Sequence, residues 1–192
     1  RTRLMAAQLE GSVSMPRKIL SYGLVAGLLA GVPLSVVVIA MGHEQPMTYG
    51  MVIGYLIMLV ALSTIFVAIK RYRDQDGGGV VRFWPAFGLG LGISVVAGIV
   101  YVISWETAVS VAHLDFASSY ARAIIEQQRA KGVTGPALAK VVAEMEAFKV
   151  QYANPLFRWP MTFAEIFPVG VLVSLVSAGL LRNPRFMPVR RV

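Results

Sequence analysis

A chain of 192 residues with 56% hydrophobic and only 15% charged side chains falls well short of the roughly 25% charge of a soluble domain. Its formal charge of +8 does not argue for nucleic acid, because most basic residues flank long uncharged stretches, where membrane topology accounts for them. The chain has no cysteine, which excludes disulfides, thiolate metal sites and cysteine nucleophiles.

Met15-Pro16-Arg17-Lys18 reads as a start just ahead of the first apolar run, and residues 1–14 read as an extension outside the membrane fold. The run 19–40 is too long for the core of a signal peptide, and no Ala-x-Ala pattern follows it. It is therefore expected to be retained as span one. Spans two, three and four are predicted over 51–69, 85–105 and 161–181. At 1.5 Å per residue each covers about 30 Å, the thickness of a hydrocarbon core, and only helices cross lipid in such pieces. The expected fold is thus an all-α integral membrane protein with four transmembrane helices.

Span one carries Gly23, Gly27 and Gly31 at four-residue spacing, and Pro33 near its middle. Small residues on one face let helix backbones approach closely. The pattern fits packing inside one bundle better than self-association through span one. The turn Gly42-His43-Glu44-Gln45-Pro46 contains no basic residue. After span two comes a loop, 70–84, in which Lys70, Arg71, Arg73 and Arg82 cluster and 73–79 forms a flexible glycine turn. Span three contributes Gly88, Gly92 and Gly98, with Ser94 four residues before the last. Gly88-Leu89-Gly90-Leu91-Gly92 has no strand before it and is not read as a nucleotide loop.

Residues 106–160 are predicted to form a helical hairpin. Its first helix runs over 114–130 with a weak stripe of Phe116, Tyr120, Ile124 and Ile125. A break over 131–135 follows, and Pro136 opens a second helix with Leu138, Val141, Val142, Met145, Phe148 and Tyr152 along one face. Span four carries Gly170, Ser174 and Ala178 at four-residue spacing, and Pro168, which removes a backbone bond near Glu165. The basic residues before span one, between spans two and three and after span four place both termini and the loop 70–84 in the cytoplasm. Residues 41–50 and 106–160 then lie outside, and the hairpin is extracytoplasmic. Trp84, Trp105 and Trp159 fall at span boundaries, as an aromatic belt would.

Glu165 is the one ionisable residue inside a predicted span. An intramembrane carboxylate needs a partner, water or a proton. The candidate outer-face cluster is Glu165, Glu106, Arg158, His113 and His43. A proton or cation site built from Glu165, Glu106 and one histidine is one reading. An interfacial Glu165–Arg158 ion pair, or a carboxylate capping a helix start, is the favoured one. No metal-binding spacing and no nucleophile–base–acid motif occurs, so neither cofactor nor metal is expected.

Four separated stretches carry a resemblance: Tyr22-Gly23-Leu24-Val25-Ala26-Gly27; Lys70-Arg71-Tyr72-Arg73-Asp74 with its glycines; Tyr101-Val102-Ile103-Ser104-Trp105-Glu106; and Asn154-Pro155-Leu156-Phe157-Arg158 running into Glu165-Ile166-Phe167-Pro168-Val169-Gly170. Over about residues 16–182 the chain resembles small bacterial membrane proteins of domain-of-unknown-function family 4199. The resemblance implies four spans with an extracytoplasmic insertion in a bacterial inner membrane, and it attaches no activity, substrate or cofactor to any residue. The expected function is a non-enzymatic interaction or accessory subunit of a membrane assembly, with the bilayer and other subunits or a second copy as partners. A small proton-coupled transporter or channel subunit using Glu165 is the alternative, and an outer-face membrane enzyme using Glu106, His113 or Glu165 ranks last.

Overall fold

The computed structural model describes the backbone of residues 2–41 and 47–188 and the side chains of residues 15–39 and 52–188. All regular structure among them is helical: α1 Thr2–Met41, α2 Met47–Leu62, α3 Thr64–Gln75, α4 Phe83–Val111, α5 Phe116–Ala130, α6 Gly135–Tyr152 and α7 Pro155–Leu181. Four rods among the described residues are long and apolar enough to cross a membrane: Met15–Ile39, Val52–Gln75, Phe83–Val111 and Pro155–Leu181. Their outward surfaces carry bare apolar side chains, such as Val60 at 71% and Leu172 at 59% exposure, as lipid-facing surfaces do.

The second rod tightens at Ser63, whose N donates to both Leu59 O and Val60 O, a change that the apolar pattern of 51–69 does not announce. Ser63 Oγ donates to the Val60 carbonyl at 2.6 Å and Thr64 Oγ1 donates to that of Ala61 at 2.7 Å. Two adjacent hydroxyls bonding back into the preceding turn compete with the ladder there. The ladder runs on as Phe66 N donates to Ser63 O at 3.0 Å and Val67 N to the same carbonyl at 3.4 Å.

The rods also run further than hydropathy suggests. α3 continues through the charged residues to Gln75, so the connection to α4 shrinks from the expected 70–84 to 76–82. Lys70 and Asp74 pair one turn apart at 2.5 Å and sustain the helix beyond its apolar part. Gly78 and Gly79 then reverse the chain with φ of 58° and 91°, values a side chain resists. At the other end α4 reaches Val111, and α7 starts at Pro155, six residues earlier than predicted. Asn154 caps α7 by accepting from Leu156 N at 3.0 Å, and Pro155 fits the first helical position. Glu165 therefore sits about three turns into its helix, not one.

α1, α4 and α7 pack face to face through small residues. A Cβ added to Gly23, Gly27 or Gly31 would stand 2.5 Å from Val96, Val100 or Ser104 of α4. The glycine face of span one is thus occupied within the chain. Gly98 accommodates the Phe163 ring and Gly92 the Ile19 side chain. Gly170 lies against Ser94, and Gly90, which the spacing did not single out, lies against Ser174. Both serines bond their own helix, Ser94 Oγ to Gly90 O at 2.8 Å and Ser174 Oγ to Gly170 O at 2.7 Å, and meet each other at 3.3 Å. Gly88 corrects the expectation: it is exposed, and nothing lies within 4 Å of where its Cβ would be. It falls two residues from Gly90, on the other side of α4.

α5 and α6 form the hairpin between the third and fourth rods. Asp115 caps α5 by accepting from Ser118 N at 3.1 Å. The two apolar stripes face each other, with Tyr120 and Phe148 rings 5.3 Å apart.

Candidate functional site

The polar and aromatic residues of the hairpin end come from three elements. Tyr101 and Trp105 lie one turn apart on the buried face of α4, and Glu106 follows, turned toward α7. Tyr152 ends α6 and is buried. Arg158 is in the first turn of α7, which the cap at Asn154 holds in place.

Arg158 and Glu106 form a two-pronged ion pair, with Nε donating to Oε1 at 2.6 Å and Nη2 to Oε2 at 2.5 Å. Arg158 Nη1 also donates to the Tyr152 carbonyl at 3.1 Å, and its guanidinium lies 5.5 Å from the Tyr152 ring centre. Trp105 Nε1 donates to the Tyr152 hydroxyl at 2.9 Å. Phe116 joins this group edge-on to Trp105, with ring centres 5.2 Å apart, and Tyr120 and Phe148 extend it into the hairpin. The hairpin is therefore not tethered by its two connections alone. The ion pair ties α4 to α7, and Arg158, through the Tyr152 carbonyl, together with a cluster of five rings that includes Trp105 fixes the hairpin to that junction. Burial pushes the Tyr152 phenol up to about 12, an effect that nearby Glu165 and Glu106 add to and that Trp105 and Arg158 oppose.

These contacts correct the predicted cluster. Arg158 pairs with Glu106 and not with Glu165, because both groups lie at the same level where α4 and α7 meet. Glu165 instead accepts from the Tyr101 hydroxyl at 3.4 Å, a long bond, while the residue itself stays exposed on the outside of the bundle. His113 stands exposed in the turn after α4 with a φ of 50°, and among the described residues it has no polar partner. His43 lies outside the described residues. No three metal-ligating side chains converge among the described residues. Tyr101 and Tyr152 were missed as members of the site. Their signal was spacing, since Tyr101 precedes Trp105 by one turn and Tyr152 ends the apolar stripe of α6.

At the opposite end the sequence concealed a second anchor. Arg73, read as a loop residue, is fully buried. Its Nη1 donates to Phe186 O at 2.8 Å, Nη2 to Met187 O at 2.6 Å, and Nε to Asp74 Oδ1 at 2.8 Å. Phe186 packs edge-on against Phe66, so the segment after α7 folds back under the bundle. Lys18 pairs with Asp76 and Arg71 Nη1 donates to the Tyr22 hydroxyl at 3.0 Å, which ties α1 to the same end.

The sequence pattern of the family described as "Protein of unknown function (DUF4199)" matches residues 21–183, a stretch that includes every residue of both clusters except Lys18, Phe186 and Met187. No curated protein matched the chain. No solved structure matched it either.

Proposed function

The chain belongs to the DUF4199 family, whose function is unknown, and we propose that it is a non-enzymatic interaction or accessory subunit of a membrane assembly. One observation carries this reading: the two-helix hairpin is held on the rods at Tyr152, whose carbonyl accepts from Arg158 and whose hydroxyl accepts from Trp105. A hairpin fixed in this way offers a preformed helical surface to another protein without an ordering cost. The dense α1–α4–α7 packing favours a scaffold over a conduit, since small-residue contacts leave the rods little freedom to separate. Glu106 is an unsuitable acid or base because both its oxygens are engaged by Arg158.

In this reading the chain lies in a bacterial inner membrane with the hairpin outside. Both termini and the 76–82 connection face the cytoplasm, the side on which Arg17, Lys18, Lys70, Arg71, Arg73, Arg82, Arg182 and Arg185 gather. Purification in mild detergent followed by mass analysis tests the subunit reading. A defined assembly containing other chains is expected; a lone monomer refutes it.

A transporter or channel subunit is the second reading, and the carboxylate of Glu165 beside Tyr101, without a cation among the described residues, favours it. Under that reading Glu165→Gln abolishes proton-dependent flux in vesicles. Under the first it alters stability and leaves no flux to lose.

A further inference from the structure

Glu165 lies at the bundle surface, with its carboxylate reaching the hydroxyl of buried Tyr101. The described residues of the four rods include three carboxylates. Asp74 is paired with Lys70 and Arg73, and Glu106 with Arg158. Among the described residues Glu165 has only the Tyr101 hydroxyl at 3.4 Å, although a carboxylate accepts about four hydrogen bonds. It stands about 9 Å beyond Trp159 along α7, where the surrounding surface is apolar.

One turn further on, Val169 forms one wall of a groove of about 360 Å³. Val52, Tyr55, Leu56 and Leu59 of α2 form the other. These four residues follow the i, i+3, i+4, i+7 spacing of a helix-packing stripe, yet this stripe faces outward. Tyr55, Leu56 and Leu59 are each about half exposed.

We propose that this groove receives a transmembrane helix of a different protein, which directs a lysine or arginine side chain at Glu165. The inference rests on the subunit reading above and identifies the face through which assembly occurs. Charge complementarity selects the occupant: an intramembrane carboxylate with one weak donor gains most from a cation. The described residues of a second copy's four rods do not supply one at this depth. Arg158 is committed to Glu106, and Arg17, Lys18, Lys70, Arg71 and Arg73 lie at the opposite end of the rods. Two copies meeting here would bring carboxylate against carboxylate.

The test uses the purified full chain in lipid vesicles and a synthetic leucine–alanine transmembrane helix carrying one lysine at the depth of Glu165. The same helix with leucine at that position is the control. Association is read by energy transfer between dyes on the two partners. The wild-type chain should bind the lysine helix roughly threefold to tenfold more tightly than the leucine helix. Glu165→Gln should remove that preference, and Val169→Trp should weaken both helices by filling the groove. Equal binding of the two helices to wild type, or a lysine preference that persists in Glu165→Gln, overturns the proposal. So does a Val169→Cys variant that crosslinks in the membrane as a disulfide dimer, since the groove then belongs to a second copy. A native assembly that survives both Glu165→Gln and Val169→Trp removes this interface and leaves the subunit reading standing, whereas a wild-type chain with no assembly removes that reading.

Discussion

Gly27 and Gly88 are both glycines on membrane-spanning helices, and the structure gives them opposite responses to one added methyl. At Gly27 the new Cβ would stand 2.5 Å from Val100 Cβ and 2.8 Å from the Ala97 carbonyl oxygen. Neither neighbour is the far end of a flexible side chain, so relief requires α1 and α4 to move apart. Overpacking of this kind costs about 1–3 kcal/mol, and the backbone contact puts Gly27→Ala toward the upper end. Gly88→Ala meets nothing within 4 Å, and replacing an exposed helical glycine with alanine gains up to about 1 kcal/mol. The two variants should therefore differ by about 3 kcal/mol, roughly a hundredfold in the folded-to-unfolded ratio. Unfolding in mixed micelles with rising dodecyl sulfate, followed by tryptophan fluorescence, measures that difference. Equal shifts for the two alanines would refute the packing argument. A Gly27→Ala variant that unfolds like wild type but loses an oligomer on sizing would give the glycine face to a second copy.

Three other outcomes are expected. Arg158→Ala should destabilise the junction of α4, α7 and the hairpin more than Glu106→Gln, by about 2–3 against about 1–2 kcal/mol, since the arginine also serves Tyr152 and the pair is partly screened by solvent; hydrogen exchange over 116–152 should accelerate more in the arginine variant. The raised Tyr152 phenol contributes stability that is complete below pH 10, the ordinary tyrosine value, and is lost as pH climbs toward about 12. The stability difference between wild type and Tyr152→Phe should therefore shift in favour of phenylalanine between pH 10 and 12, and a difference constant with pH would contradict it. Arg73→Ala should free the segment after α7, so that trypsin cuts at Arg182 and Arg185 at least about tenfold faster than in wild type.

The four rods were legible because lipid leaves the backbone one solution, and long uncharged stretches announce it. Their ends were not, since hydropathy stops at the first charge while Lys70–Asp74 and the Asn154 cap carry the helices past it. The glycine spacings marked close approach but not its partner. Spacing alone could not separate Gly90, which meets Ser174, from Gly88, which meets nothing. In the candidate site the polar residues were visible as rarities, yet their pairing was not. Glu106 and Glu165 are equally plausible mates for Arg158 in the linear sequence. The longer α7 decides between them by setting Arg158 level with Glu106. Arg73 was hidden for a related reason: a basic residue at a span end looks like an anchor to headgroups, and only the returning chain reveals a buried one.

That returning chain bears on biogenesis. The guanidinium of Arg73 finds its two carbonyls 113 and 114 residues downstream, close to the last residues described. While the polypeptide is being inserted, the base of its second rod must rely on water or lipid phosphate for those bonds. Closure of that end thus waits until the chain has been made past Met187, and a truncation just after Arg182 would strand a cation that the folded bundle keeps dry.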